Sequence, residues 1–414
     1  MPRVKNTNQS QQLAALPAEL SAALTPLITA ARDQGCRLFL VGGAVRDIIL
    51  KKPVRDADIV VLGEALALAK AVAPSLGKLT IYPAFGTATI TLEHTRLDLS
   101  SARNESYAHP GALPTVRPGT LEDDLRRRDF TINTLAVSLN TDDYGLLIDY
   151  CGGEADLDAH LIRALHKNSF ADDPTRIWRA GRYEQRLGFI IEPETLKWLK
   201  RDVAGLQNVT GDRIWYELLC LLQEEEPERV LVRLNGLGVI KQLSPTLRAD
   251  NWLVSKFQTA RAQEGPSVPL YLALLAYRLK ASAAEAYADY LSLNKPLRRI
   301  IQDVQSLKAQ LPRLRRPSIR PSTIYRKLCG YTPEALAASL IATASPTTQQ
   351  NLTFFQQKLK DTRVSLAGND LLSLGVPPGP RVGEILQRLL KARLDGQINS
   401  RAEEIALTKA ILTR

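Results

Sequence analysis

Apolar positions recur along this chain at two spacings, and the dominant one changes near residue 168. Residues 17–34 set Leu20, Ala23, Leu24, Leu27, Ile28 and Ala31 at helical spacing, which predicts an amphipathic helix closed by Gly35. Arg37 to Val41 (RLFLV) reads as a buried strand running straight into Gly42 and Gly43. A helix over Ala44 to Leu50, a strand over Ala57 to Leu62 and a helix over Ala65 to Ala73 follow. Phe85 to Leu92 and Arg96 to Ser101 alternate like paired strands. Residues 103–124 hold Pro110, Gly111, Pro114, Pro118 and Gly119, which predicts a long functional or mobile loop. Val137 to Leu139 and Leu146 to Asp149 predict a closing hairpin around Asp142 and Asp143. Beyond residue 168 strand signals stop. Helical periodicity then runs to the end, with breaks near 208–211, 227, 236–238, 265–266, 312–321 and 375–380. The pattern predicts an α+β head, a mixed sheet with helices, followed by an all-α remainder. Residues 1–12 are polar and read as a disordered lead.

Composition narrows the classes. Apolar residues make up 45% and charged residues 23% of 414, the balance of an ordinary globular protein. Lys and Arg number 54 against 43 Asp and Glu, a net charge of +11 that favours a polyanionic partner, nucleic acid before membrane. The cysteines (36, 151, 220 and 329) are far apart, which argues against disulfides or a zinc knuckle and for a reducing, cytoplasmic setting. No histidine pair has metal-ligand spacing, and no His-Asp dipeptide of a phosphohydrolase occurs. The N-terminus lacks an apolar signal core. The longest uncharged apolar stretch, Val268 to Tyr277, is half of the ~20 residues a membrane span needs, so no membrane partner is expected.

Four segments carry candidate chemistry. LFLVGGAVRD (38–47) is a strand, two glycines and a helix, a corner at which backbone N–H groups can meet phosphate and Arg46 can pair with its oxygens. The same corner is also a common tight turn. Asp56 and Asp58 flank the start of a strand at i and i+2, so both carboxylates face one side and repel unless a cation lies between them. Mg²⁺ suits such hard oxygens. Asp98 in RLDLS sits on another strand of the same sheet, and three carboxylates would make a two-metal site for nucleotidyl transfer. RRDFTIN (127–133) offers Arg128 for a triphosphate and Asn133 for a ribose hydroxyl at the start of a predicted helix. In ADDPTRIWRAGRYEQRLGF (171–189), Asp172 or Asp173 caps a helix with Pro174 first, and Asp173, Arg176, Arg179 and Arg182 recur every three residues along one ridge.

In this order, GGAVRD, D-x-D, RRDFTIN and (E/D)D-x-x-R with R-x-x-R resemble the class II tRNA nucleotidyltransferases: CCA-adding enzymes and bacterial poly(A) polymerases, within the polymerase-beta superfamily. GDRIWYELL (211–219) and GNDLLSLGVPPGPRVGEILQRLL (368–390) extend the likeness. Asp172, Gly181 and Thr134 stand where the family usually has Glu, Ala and Ala. The resemblance implies a nucleotidyltransferase head at 1–167, a base-recognising neck at 168–242, a body at 243–330 and a tRNA-binding tail at 331–414. It implies that Gly43, Arg46 and Arg128 contact the incoming triphosphate and that Asp56 and Asp58 bind Mg²⁺. Asp173 and Arg176 would read the base, with Arg179 and Arg182 in support. Asp98 as third carboxylate follows from strand position alone.

An acceptor beside a donor matches the amino group and ring nitrogen of cytosine or adenine. Uracil and guanine set carbonyl against carboxylate, a mismatch of ~1–3 kcal/mol per unpaired group. Together with this pairing, the resemblance implies CTP, ATP and the 3′ end of a tRNA as partners, with C, C and A added in turn. A-only, CC-only and poly(A) addition share the same chemistry. The length of the 103–126 segment resembles enzymes able to add A and ranks CC-only lower. A non-catalytic RNA binder is disfavoured by the intact Asp56/Asp58 pair, and a small-molecule nucleotidyltransferase by the long basic helical region. The run Lys308, Arg313, Arg315, Arg316, Arg320, Arg326 and Lys327 is either a phosphate-binding surface or a solvated linker. Oligomeric state is not readable.

Overall fold

Arg37–Val41 forms β1, the strand that runs into the Gly42–Gly43 corner. Four of its five side chains are buried, because both faces of the sheet are covered here. The computed structural model describes residues 9–13, 16–106, 108–109, 111–112, 114–316 and 318–413. It divides into two compact units: Met1–Glu217 with Gly236–Gln242, and Leu218–Asn235 with Leu243–Arg414.

The first unit holds a mixed seven-stranded sheet in the order β3-β4-β5-β2-β1-β8-β9. The strands are β2 (Ala57–Leu62), β3 (Lys78–Tyr82), β4 (Thr87–Thr91), β5 (Arg96–Ser101), β8 (Ala136–Ser138) and β9 (Leu147–Ile148), beside β1. β1 runs antiparallel to β2 and β8, and β2 runs parallel to β5 with Asp58 opposite Asp98. Helices α1 (Ser10–Leu13), α2 (Ala18–Asp33), α3 (Gly43–Ile49) and α4 (Ala65–Leu76) come from the first part of the chain. α4 packs on β3, β4 and β5, and α2 packs on α4 and β1. The other face buries Phe39, Val41 and Val60 against Leu121 and Leu125 of α5 (Leu121–Arg126). The disordered lead expected over 1–12 lies outside the described residues at 1–8; Ser10–Leu13 is helical.

Three expectations need correction, and one strand was not foreseen. The stretch 103–124 is not one long loop: β6 (Arg103–Ser106) and β7 (Thr115–Pro118) form an antiparallel hairpin, and α5 follows. Residues 107, 110 and 113 of that stretch lie outside the described residues. Both strands are polar and lack a buried face, so no alternation marks them. Thr120 starts α5 with a reciprocal capping box to Asp123. RRDFTIN does not open a helix: Arg127 is the C-cap of α5 and Thr131–Asn133 is one 3₁₀ turn. The basic pair thus sits where the helix dipole welcomes it. Strand signals also do not end at 168, since β11 (Ile190–Ile191) pairs in parallel with β10 (Leu161–Ile162). β3, half-exposed at the sheet edge, carries too little apolar signal to be foreseen.

The first unit ends in helices: α6 (Gly153–Asp158), α7 (Ser169–Asp172), α8 (Arg176–Leu187), α9 (Pro193–Asp202) and the start of α10 (Gly211–Leu222). The second unit is helical throughout its described residues. Its helix Val268–Ala276 is nine residues long and almost wholly buried, a core helix. No helix of the described residues is long and apolar enough to cross a membrane. Asp250, Ser267, Asn294, Ser345 and Ser400 each cap a helix of this unit through a side-chain oxygen, which fixes where those helices start. Leu366, Leu371, Val376, Ile385, Leu389, Ala392 and Ile398 form a separate small core near the C-terminus.

Candidate active site

The corner after β1 turns on Gly42, whose φ of +72° suits glycine and whose N–H donates to Leu135 O at 3.1 Å. A Cβ at Gly42 would lie 2.6 Å from Arg128 Nη1 and 3.5 Å from Asp58 Oδ2. Glycine therefore lets a cation and a carboxylate approach the same backbone. Gly43 opens α3. Arg46, on its first turn, is 2% exposed and donates through Nε to Asp47 and through Nη1 to Asn133 Oδ1, each at 2.8 Å.

From Asn133 the network continues. Its Nδ2 donates to Asp129 Oδ1 at 2.9 Å, and Arg179 Nε donates to Asp129 Oδ2 at 2.7 Å. Burial alone pushes the Asp129 pKa up, but Arg179, the Asn133 amide and Arg176 outweigh it and hold it at about 2. The Tyr183 ring lies under the guanidinium groups of Arg46, Arg179 and Arg182 at 5.3, 5.7 and 5.3 Å. Asn133, expected to face ribose, is engaged first by the protein on both ends of its amide.

The carboxylates come from adjacent strands. Asp58 and Asp98 are register partners on β2 and β5, while Asp56 precedes β2 rather than lying on it. Asp58 opens onto the cavity, yet the surrounding walls crowd its carboxyl. Burial, with Asp98 and Asp56 adding, raises its pKa against the pull of Arg128 and Arg96. Asp98 Oδ1 accepts from Thr89 Oγ1 at 2.5 Å. Arg96 reaches Asp56 Oδ2 at 3.4 Å and Asp98 Oδ2 at 3.3 Å. Among the described residues no three His, Cys, Asp or Glu side chains already form a metal cage. Asp56, Asp58 and Asp98, expected to converge, all line the same cavity, and a guanidinium bridges two of them. The donor chemistry still fits a hard divalent cation: crowded carboxylates face one cavity and already hold positive charge.

Asp173 lies before α8, which begins at Arg176 with Thr175 as N-cap. The cap expected at Asp172 or Asp173 is thus displaced, since Asp173 ties down the turn before the helix. Its Oδ1 accepts from Thr175 N at 3.1 Å, Thr175 Oγ1 at 2.7 Å and Arg213 Nη2 at 2.8 Å. Arg176 is buried and donates to Ser169 Oγ and Arg127 O, each at 2.8 Å. Arg179 and Arg182 face Glu217 at 4.0 and 3.9 Å, and burial raises the Glu217 pKa despite both.

One cavity of about 940 Å³ is lined by Gly43, Arg46, Asp56, Asp58, Asp98, Arg128, Asn133, Asp173, Arg176 and Arg179. Arg182 is not among its lining residues; its guanidinium lies by the Tyr183 ring and Glu217. The same cavity includes Arg96, Asp129, Tyr183, Arg213 and Glu217, none singled out from sequence. Asp129 and Arg213 lay inside RRDFTIN and GDRIWYELL, so the motifs marked the neighbourhood but not the side chain. In the second unit, Arg320, Arg326, Arg388 and Lys391 line a groove of about 700 Å³ with Glu384 as its carboxylate. Lys308 is instead a structural donor, to Tyr277 O at 2.7 Å and Leu279 O at 2.6 Å.

The family model for the poly(A) polymerase head domain matches residues 38–163. That described as the probable RNA and SrmB-binding site of polymerase A matches 188–250. An A-adding tRNA nucleotidyltransferase of Geobacter sulfurreducens is 36% identical over 95% of this chain and 47% of its own length. The chain therefore spans about half of that relative. A CC-adding tRNA nucleotidyltransferase of Deinococcus radiodurans is 34% identical over 91% of this chain and 89% of its own. A structure of the Thermotoga maritima CCA-adding enzyme complexed with tRNA superposes with a TM-score of 0.72 at 30% identity, covering 98% of both chains.

Proposed function

The chain belongs to the family of tRNA nucleotidyltransferases and poly(A) polymerases, and on that footing we propose that it adds C, C and A to the 3′ end of tRNA from CTP and ATP without a nucleic-acid template. The observation that carries this reading is a single cavity lined by both the β2–β5 carboxylates and the Asp173/Arg176 pair. The proposed division of labour is a catalytic head at 1–167, a base-reading neck at 168–242, a body at 243–330 and a tRNA-binding tail at 331–414.

Asp56 and Asp58, with Asp98 beside them, hold the divalent cation, proposed as Mg²⁺. Bound there, Mg²⁺ lowers the pKa of the attacking hydroxyl and offsets charge at the α-phosphate. Arg128, Arg46 and the Gly43 backbone hold the triphosphate, so that the terminal RNA 3′-oxygen attacks the α-phosphorus and pyrophosphate leaves. Asn133 fixes Arg46 and keeps one N–H for the ribose. Asp173 has Oδ1 occupied, which leaves Oδ2 for the amino group of cytosine or adenine. Arg176 retains N–H groups for the adjacent ring nitrogen. Arg179 and Arg182 act from behind, through Asp129, Tyr183 and Glu217. The groove lined by Arg320, Arg326, Arg388 and Lys391 takes tRNA phosphates.

A second reading, addition of the terminal A alone, is favoured by 36% identity to an A-adding relative over 95% of this chain. Transcripts ending before CCA, and after CC, are incubated with each triphosphate and sized. Two C residues and one A on the first substrate support the full reading. Extension of the second substrate alone gives the A-adding reading, and extension of neither overturns both.

A further inference from the structure

Resting on the cation site just proposed, we propose that Arg96 is an internal counter-ion that keeps this site closed to free divalent metal until a triphosphate arrives. Arg96 and Asp98 are two apart on β5 and so share a face of the sheet. Its guanidinium bridges Asp98 Oδ2 at 3.3 Å and Asp56 Oδ2 at 3.4 Å. It therefore neutralises the same oxygens that a metal ion would require. Both contacts are longer than the 2.7–2.9 Å of a strong charge-assisted bond. The Arg96 side chain is 53% exposed, so a rotamer change frees the carboxylates without disturbing the core. Asp58 explains why a counter-ion is needed: it is the register partner of Asp98 and stands two residues from Asp56, and three bare carboxylates gathered where β2 and β5 pair repel.

A metal ion and Arg96 thus compete for one donor set. An incoming triphosphate tips the balance twice, by adding oxygens for the metal and by offering Arg96 another anion. The free protein binds metal weakly, and the nucleotide complex binds it well. Arg96 is a positioning residue here: it acts through the carboxylates.

The test is Mn²⁺ binding by the full chain, followed by electron paramagnetic resonance without RNA. Wild type, Arg96→Gln, Arg96→Lys and Asp58→Asn are compared, each with and without a non-hydrolysable CTP analogue. Without nucleotide, Arg96→Gln is expected to bind Mn²⁺ about tenfold more tightly than wild type, as removing a nearby unit charge in a partly solvated site implies. Arg96→Lys should stay close to wild type, and the Gln-to-wild-type gap should narrow with nucleotide. Equal or weaker Mn²⁺ binding by Arg96→Gln, with binding still lost in Asp58→Asn, overturns the role of Arg96 and leaves the metal site standing. Unchanged binding in Asp58→Asn overturns the metal site itself.

Discussion

Asp129 shows how a single buried carboxylate can tie a candidate site together. It is 5% exposed and joins Asn133, which holds Arg46, to Arg179 on α8. Burial opposes its charge, and its cationic and amide partners prevail, setting a pKa of about 2. A depressed carboxylate contributes stability above its unfolded value, about 4, and loses it as pH falls through the folded value. Asp129→Asn is therefore expected to cost about 3 kcal/mol near neutral pH, because each tenfold change in proton affinity between the unfolded and folded chain is worth ~1.4 kcal/mol. The gap should shrink between about pH 4 and 2. Urea unfolding of both proteins across that range measures it, and a pH-independent gap would show that Asp129 acts by packing alone. Asp56, Asp58, Asp173 and Arg176 were legible in sequence because each stands in a short motif. Asp129, Arg213 and Glu217 also stand inside quoted motifs, but their roles were not legible, because those depend on partners tens of residues away, as with Arg179 to Asp129 and Arg213 to Asp173.

At the scale of elements, the base choice proposed above would rest on how the turn before α8 is held by α10. Arg213 on α10 fixes Asp173 Oδ1, while Arg176 anchors to Ser169 and Arg127 at the end of α5. Asp173→Ala or Arg176→Ala should relax base selection more than it weakens triphosphate binding. Arg213→Ala should do the same more mildly, since Thr175 still holds the carboxylate. Incorporation of each of the four triphosphates, with kcat and KM measured separately, decides this. A wild type that uses all four equally would remove the protein-template account. The bounds of β1, β2 and β5 came through in sequence because buried strands need continuous or alternating apolar residues. β6 and β7 did not, because R-N-E-S and T-V-R-P have no face to bury. The start of α8 was shifted by the same Asp173 that organises the site: its side chain ties the turn rather than capping the helix.

Over the whole molecule, the large sheet ends with β9 at Ile148, ahead of the change of periodicity near residue 168, while the first compact unit extends to Glu217 and includes 236–242. Periodicity reports secondary structure, whereas unit limits follow side-chain ties such as Arg176 to Arg127 and Arg179 to Asp129, which it cannot show. Charge was legible only as a total. The excess of +11 favours a polyanion, but the basic run at 308–327 divides on folding. Lys308 becomes a structural donor, and Arg320 and Arg326 join Arg388 and Lys391 from a distant segment in one groove. If that groove holds RNA phosphates, affinity for tRNA must fall as salt rises, because each neutralised phosphate releases counterions. Arg388→Ala and Lys391→Ala, combined, should then weaken tRNA binding at low salt and flatten the slope of log affinity against log salt by about 2. Misincorporation should not change, because neither residue lines the candidate active-site cavity. An unchanged slope would place the phosphate contacts on other basic residues, and an altered base choice would break the separation between holding the RNA and reading the nucleotide.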